Sequence, residues 1–153
     1  MIVPLSDLAA AEGLGAAIAA SMQAGDVIAL SGELGAGKTT LARAIIAALG
    51  HTGEVPSPSF TIIECYGPPD VRLPVVHADF YRLTDPREAV ELGLDDYREG
   101  AVLIAEWPEQ AGGFGSEPGC LSVYLETTDE NQQGGRIAIV EGGADWLGRM
   151  PCP

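Results

Sequence analysis

Ser31-Gly32-Glu33-Leu34-Gly35-Ala36-Gly37-Lys38-Thr39-Thr40 contains the only lysine of a 153-residue chain; the other seven basic residues are arginines. Residues 32–39 fit G-x-x-x-x-G-K-[ST], a loop that cradles phosphates. Glycines let successive backbone N–H groups turn inward with no Cβ in the way. Those donors and the N-terminus of the following helix hold the anion. At these positions Lys38 reaches the β- and γ-phosphates and the Thr39 hydroxyl ligates Mg²⁺. Gly32 through Thr40, with Glu33, Leu34 and Ala36 among them, are therefore the candidate nucleotide-binding residues. Guanine readers of the Ras type need a second lysine in N-K-x-D, which this chain lacks. ATP is the expected nucleotide.

Such a loop works with an acid at the end of a neighbouring apolar strand, which holds the metal directly or through water. Two acids qualify: Glu106, after Ala101-Val-Leu-Ile-Ala, and Asp79, after Val75-Val-His-Ala. Glu106 has the cleaner strand and is assigned to Mg²⁺. Asp79 is assigned to the attacking water or the metal's water shell, and the two roles can be exchanged. Lys38, Asp79 and Glu106 form the candidate catalytic set. His77 lies two residues before Asp79 and so shares its side of the strand; it reads as a hydrogen-bonded structural histidine, with ligation as the other reading. Trp107 is either a core aromatic or a contact surface or lid. Ser57 and Ser59, in Pro56-Ser-Pro-Ser, lie where switch segments sense a γ-phosphate, in a stretch that also reads as a stiff connector.

These residues require a strand before the loop and a helix after it. Residues 26–31 form an apolar run and 38–50 carry Leu41, Ile45, Ile46 and Leu49 on one face. A first helix is expected over 6–22 with Ser6 as its N-cap, weakened by two glycines. Strands are expected over 60–66, 71–79 and 101–106, with Pro74 making the second begin late or lie at an edge. Asp85, Pro86 and Glu88 open a helix that Gly93 closes. Residues 111–119 read as loop. A closing hairpin joins 120–127 to 136–141 around a polar loop, and residues 148–153 read as frayed.

The length fits one domain. A formal charge of −14, with a sequence pI of about 4.2, repels phosphate backbones, so unaided nucleic-acid binding is not expected. Three cysteines without a C-x-x-C pair argue against a disulfide framework or a zinc site. No basic leader or secretory apolar core opens the sequence, and no run approaches the ~18 apolar residues of a membrane helix. A soluble cytoplasmic protein with no membrane partner is expected.

The segments GELGAGKTT, SPSF, HADFYRL, ELGLDDY and AEWPEQ, in this order and spacing, resemble the bacterial TsaE (YjeE) family over about Pro4 to Val140. The loop alone is weak evidence for one family; its combination with H-x-D-x-Y-R-L and E-W-P is specific. The resemblance implies an α/β fold: a single P-loop NTPase-like domain, here 1–143, with a mixed sheet flanked by helices and a tail over 144–153. It implies an ATPase that works with TsaD and TsaB, which attach a threonylcarbamoyl group to the adenosine beside the anticodon of certain tRNAs. The TsaE subunit resets that pair between turnovers and meets tRNA only through its partners. The resemblance also implies nucleotide and metal roles for Lys38, Thr39 and Glu106, activity roles for Asp79 and Trp107, and a place near the nucleotide for Arg136. Ser57-Pro-Ser stands where Ser-Pro-Thr is common, which keeps the hydroxyl. Ala11 stands where threonine is common, which removes a polar contact to the adenine from the first helix. Two other readings remain: a small-molecule kinase, with Arg82, Arg87 and Arg98 as phosphate clamps, and a nucleotide-sensing module that does not hydrolyse ATP.

Overall fold

The centre of the sheet is set by the two most apolar strands, β2 (Val27–Gly32) and β5 (Val102–Glu106), which pair in parallel with Leu30 beside Glu106. Strands buried on both faces lose the polar alternation of a half-exposed strand, and every residue of β5 is buried. The computed structural model describes residues 1–59, 61–128 and 135–153. It adds β1 (Ile2–Leu5), β3 (Ile63–Tyr66), β4 (Val75–Asp79), β6 (Cys120–Thr127) and β7 (Arg136–Gly142). The seven strands run in the order β1-β7-β6-β2-β5-β4-β3. β6, β2, β5 and β4 are parallel; β1, β7 and β3 are antiparallel to their neighbours, so the sheet is mixed as expected.

Helices α1 (Leu8–Ser21) and α2 (Lys38–Ala48) cover one face, where Leu14, Ile18, Leu41, Ile45 and Ile46 pack with Ile28, Leu30, Ile104 and Val123. Gly15, counted against α1 in the sequence, is where the two helices touch: a Cβ there would lie 2.6 Å from the Ala44 Cβ. The other face, with Val27, Ala29, Val76, Ala78 and Leu103, is covered by Phe80, Leu83, Ala89, Leu94 and Phe114. Burial of the valine, leucine, isoleucine and phenylalanine side chains contributes roughly 1.5–3 kcal/mol each. Ala89 and Leu94 come from two short helices, α3 (Arg87–Glu91) and α4 (Leu94–Arg98).

Several expectations are corrected. The N-cap of α1 is Asp7, whose carboxylate accepts from the Ala10 N–H at 2.8 Å; Ser6 lies one residue too early. Residues 2–5, which carry no strand pattern of their own, form β1 against β7. Of the two outcomes read from Pro74 the late start holds, since the strand expected over 71–79 begins at Val75, while the edge belongs to β3. The Asp85 carboxylate accepts from the Arg87 N–H at 2.9 Å, as an N-cap does, while Glu88 reaches back one residue further than expected, to the Thr84 N–H and hydroxyl, both at 3.1 Å. Gly93 ends α3 as expected, but its left-handed φ of 80° also starts α4. The chain end is pinned rather than frayed. Trp146 is fully buried and donates to the Gly119 carbonyl at 2.8 Å, and Arg149 makes a two-pronged ion pair with buried Asp26 at 2.7 and 2.8 Å. Phe60, the first residue of one expected strand, and residues 129–134 of the expected hairpin loop lie outside the described residues.

Candidate functional site

The site forms where β2, β5 and β4 end together. Gly32 must be a glycine: its φ is 138°, and a Cβ would stand 2.4 Å from the Leu125 carbonyl oxygen of β6. The loop then wraps back so that Gly37, at φ 108°, precedes α2 without any side-chain cap. The first-turn N–H groups of a helix have no intrahelical acceptor. An anion above Gly37 would meet those donors together with the positive end of the helix dipole.

Lys38 is 5% exposed, and its ammonium donates to the carbonyls of Gly32 at 2.7 Å and Glu33 at 2.8 Å. The Trp107 indole lies over it, 4.1 Å from Nζ to the ring centroid. Burial pushes the Lys38 pKa below its ordinary value, against the opposing fields of Glu106, Glu109 and Asp79. The cation therefore sits where an incoming phosphate gains from it and relieves its desolvation. Trp107 adopts a left-handed φ of 56° directly after β5, and its ring meets that of Tyr81 at a tilt of 48° with centroids 4.9 Å apart. This places it beside Lys38 at the mouth of the site, half-buried against the edge of the second core cluster.

The parallel register sets Asp79 of β4 beside Glu106 of β5. Glu106 is 2% exposed; its Oε1 accepts from the Thr39 hydroxyl at 2.6 Å and its Oε2 is 2.7 Å from His77 Nε2. His77 is thus a hydrogen-bonded buried histidine on the site's side of the strand. Asp79 is nearly as buried; Oδ1 accepts from the Tyr81 N–H at 3.0 Å and Oδ2 from the Ser59 hydroxyl at 3.2 Å, while Ser59 meets the Ser57 hydroxyl at 2.8 Å. Ser57 and Ser59 thereby form one polar chain with Asp79.

A cleft of about 250 Å³ is lined by Gly35, Lys38, Thr39, Asp79, Glu106 and Trp107, with Ser59 and Tyr81 at its sides. Leu34, at the loop's tip, is 75% exposed. A second cleft of about 260 Å³ lies on the other side of the loop, among Asp7, Leu8, Ala11, Gly37, Thr40 and Arg136. Arg136 presses against the loop, its Nη1 3.1 Å from where a Gly37 Cβ would be. Residues 32–40 and Arg136 are thus brought together between two clefts, one holding Lys38 with the two acids Asp79 and Glu106, the other bordered by Arg136 and the start of α1.

Among the described residues no group of three or more His, Cys, Asp or Glu side chains could hold a metal by itself. The Thr39 hydroxyl and the Glu106 carboxylate, 2.6 Å apart, are hard oxygen donors in a pair. They fit a cation such as Mg²⁺, which takes one or two protein oxygens and completes its shell with phosphate and water. Of the arginines weighed as phosphate clamps, Arg87 pairs with Asp85 and Arg98 with Glu117, and none of the three is among the residues that line either cleft. Sequence reasoning missed Tyr81, which stood within a quoted motif but had no role, and the pairing of His77 with Glu106, which only strand register reveals.

Residues 5–137 match the model of the family described as threonylcarbamoyl adenosine biosynthesis protein TsaE. The tRNA threonylcarbamoyladenosine biosynthesis protein TsaE of Bacillus subtilis is 48% identical over 90 residues, 58% of this chain and 54% of that protein. The protein of the same name from Haemophilus influenzae is 39% identical over 89 residues, 58% of this chain and 55% of that protein. The matches therefore span little more than half of these relatives. The crystal structure of Bacillus subtilis YdiB superposes with a TM-score of 0.76 at 28% identity, covering 97% of this chain and 90% of that one.

Proposed function

This chain belongs to the TsaE family of threonylcarbamoyl adenosine biosynthesis proteins, and from that premise we propose that it is a Mg-ATP-binding ATPase subunit serving threonylcarbamoyladenosine modification of tRNA. The observation that carries this reading is the Thr39–Glu106 contact at 2.6 Å, beside a buried Lys38 held inside its own loop. The loop N–H groups and Lys38 bind the phosphates; the base and ribose take the cleft of Arg136, Leu8 and Ala11. Thr39 and Glu106 would hold Mg²⁺, which supplies charge neutralisation on the β- and γ-phosphates. Asp79, oriented by Ser59 and the Tyr81 N–H, positions the water that attacks the γ-phosphate. Trp107 and Tyr81 border the same cleft and restrict its water.

Hydrolysis serves to reset a TsaD–TsaB pair, in the cytoplasm. No helix among the described residues is long and apolar enough to cross a membrane. The charge of −14 favours reaching tRNA only through such partners. Titrating ATP with and without Mg²⁺ tests the site. Glu106→Ala should weaken the Mg²⁺-dependent affinity more than Asp79→Ala, with both variants losing hydrolysis. A larger metal defect in Asp79→Ala would exchange the two roles, and equal ATP affinity with and without Mg²⁺ in the wild type would remove the metal from the account.

A further inference from the structure

His77 is fully buried at the centre of β4, yet among the described residues only one of its ring nitrogens has a partner: Nε2 meets Glu106 Oε2 at 2.7 Å, while buried Nδ1 has no hydrogen bond. A buried polar atom without a partner costs roughly 1–3 kcal/mol. A histidine kept only for packing would not need to carry that cost, and an apolar side chain of similar size would avoid it. The contact that remains is with the acid assigned to the metal. A carboxylate only accepts, so Nε2 carries the hydrogen and donates it.

We propose that His77 is a positioning residue for the metal half of the site. Its Nε2–H holds one oxygen of Glu106, so the carboxylate cannot rotate and its other oxygen faces Thr39 and the cation. Three features support this. Glu106 is 2% exposed, so no solvent would otherwise fix Oε2. Its two oxygens have separate partners, Thr39 on Oε1 and His77 on Oε2. Asp79, aligned with Glu106 in the register, has its own donors in Ser59 and Tyr81, so neither acid depends on the other for hydrogen bonds. Outer partners that orient a ligand typically change metal affinity by roughly 10–100-fold when removed. The inference rests on the Mg-ATP reading above.

The test is an ATP titration at zero and graded Mg²⁺, with thermal melts, on the wild type and on His77→Leu, His77→Gln and His77→Asn. The glutamine amide N–H reaches about as far as Nε2; the asparagine amide does not. His77→Leu should bind ATP without metal within about twofold of wild type, and should need at least about tenfold more Mg²⁺ for half-saturation. His77→Gln should recover most of the Mg²⁺ response and His77→Asn should not. This pair decides the matter if the leucine variant does not fold. An unchanged Mg²⁺ requirement in His77→Leu, or equal behaviour of His77→Gln and His77→Asn, overturns the proposal while leaving Mg-ATP binding intact. A wild type whose ATP affinity ignores Mg²⁺ overturns both.

Discussion

Replacing Arg149 by alanine removes a cation from the last turn of a chain whose sequence gives no sign that its end matters. The guanidinium donates twice to Asp26 at 2.7 and 2.8 Å and once each to the Ser21 and Asp145 carbonyls, and it lies 4.3 Å over the Trp146 ring. The pair raises the Arg149 pKa, chiefly through the hydrogen bond to Asp26. Asp26 is 4% exposed and would keep only the Gln23 N–H, at 2.7 Å. Removing one partner of a buried ion pair costs about 3–5 kcal/mol. The Arg149 side chain is 18% exposed, so water can enter the vacated space, which favours the lower end, about 3 kcal/mol. For a domain of this size, 1 kcal/mol moves Tm by about 2–4 °C, so Arg149→Ala should melt about 6–12 °C lower. Adding Asp26→Asn removes the stranded charge and should restore part of the loss. ATP affinity should not change, because none of these residues lines either cleft beside the loop. A stability loss below about 0.5 kcal/mol, the range of ordinary surface substitutions, would refute the pinned chain end.

Lys38→Ala should fold, with Tm within a few degrees of wild type, since the lost carbonyl contacts are offset by relief of a desolvated cation; its ATP affinity should fall at least about 30-fold, from the roughly 2 kcal/mol or more that such a buried charge contact carries. Wild-type affinity in the folded variant, read by calorimetry, would contradict the phosphate site. The His51 ring pairs with Asp70 at 2.6 Å, and that hydrogen bond raises its pKa above the ordinary value. The pair's contribution is complete below the unfolded pKa of about 6.5 and fades as pH rises through the higher folded value. The Tm difference between wild type and His51→Gln should therefore shrink from pH 5.5 to pH 9, and a difference that grows would reverse the assignment.

Much of the site was legible because its chemistry depends on short-range order. The loop from Gly32 to Thr40, the strand before it and α2 after it follow from local pattern, and Asp79 and Glu106 are each the last residue of an apolar run. What the sequence withheld depends on pairing across the chain. Residues 2–5 become a strand only because β7 lies beside them. His77 acquires its meaning from a neighbour 29 residues away. Arg149 looks like tail until Asp26 is placed beneath it. Ser6 and Asp7 are both good caps, and a one-residue shift of the helix start separates them. Gly15 lowers the helical signal locally and raises the packing of α1 on α2, a trade that no single-segment pattern contains.

The central claim, a Mg-ATP site that turns over in the service of partner proteins, is met most directly by one rate: ATP hydrolysis by the purified chain, alone and with TsaD, TsaB and substrate tRNA. Slow hydrolysis alone that rises with the partners, and vanishes in Asp79→Ala under both conditions, is the predicted result. Fast hydrolysis that the partners leave unchanged, or hydrolysis that survives in Asp79→Ala, would contradict the account.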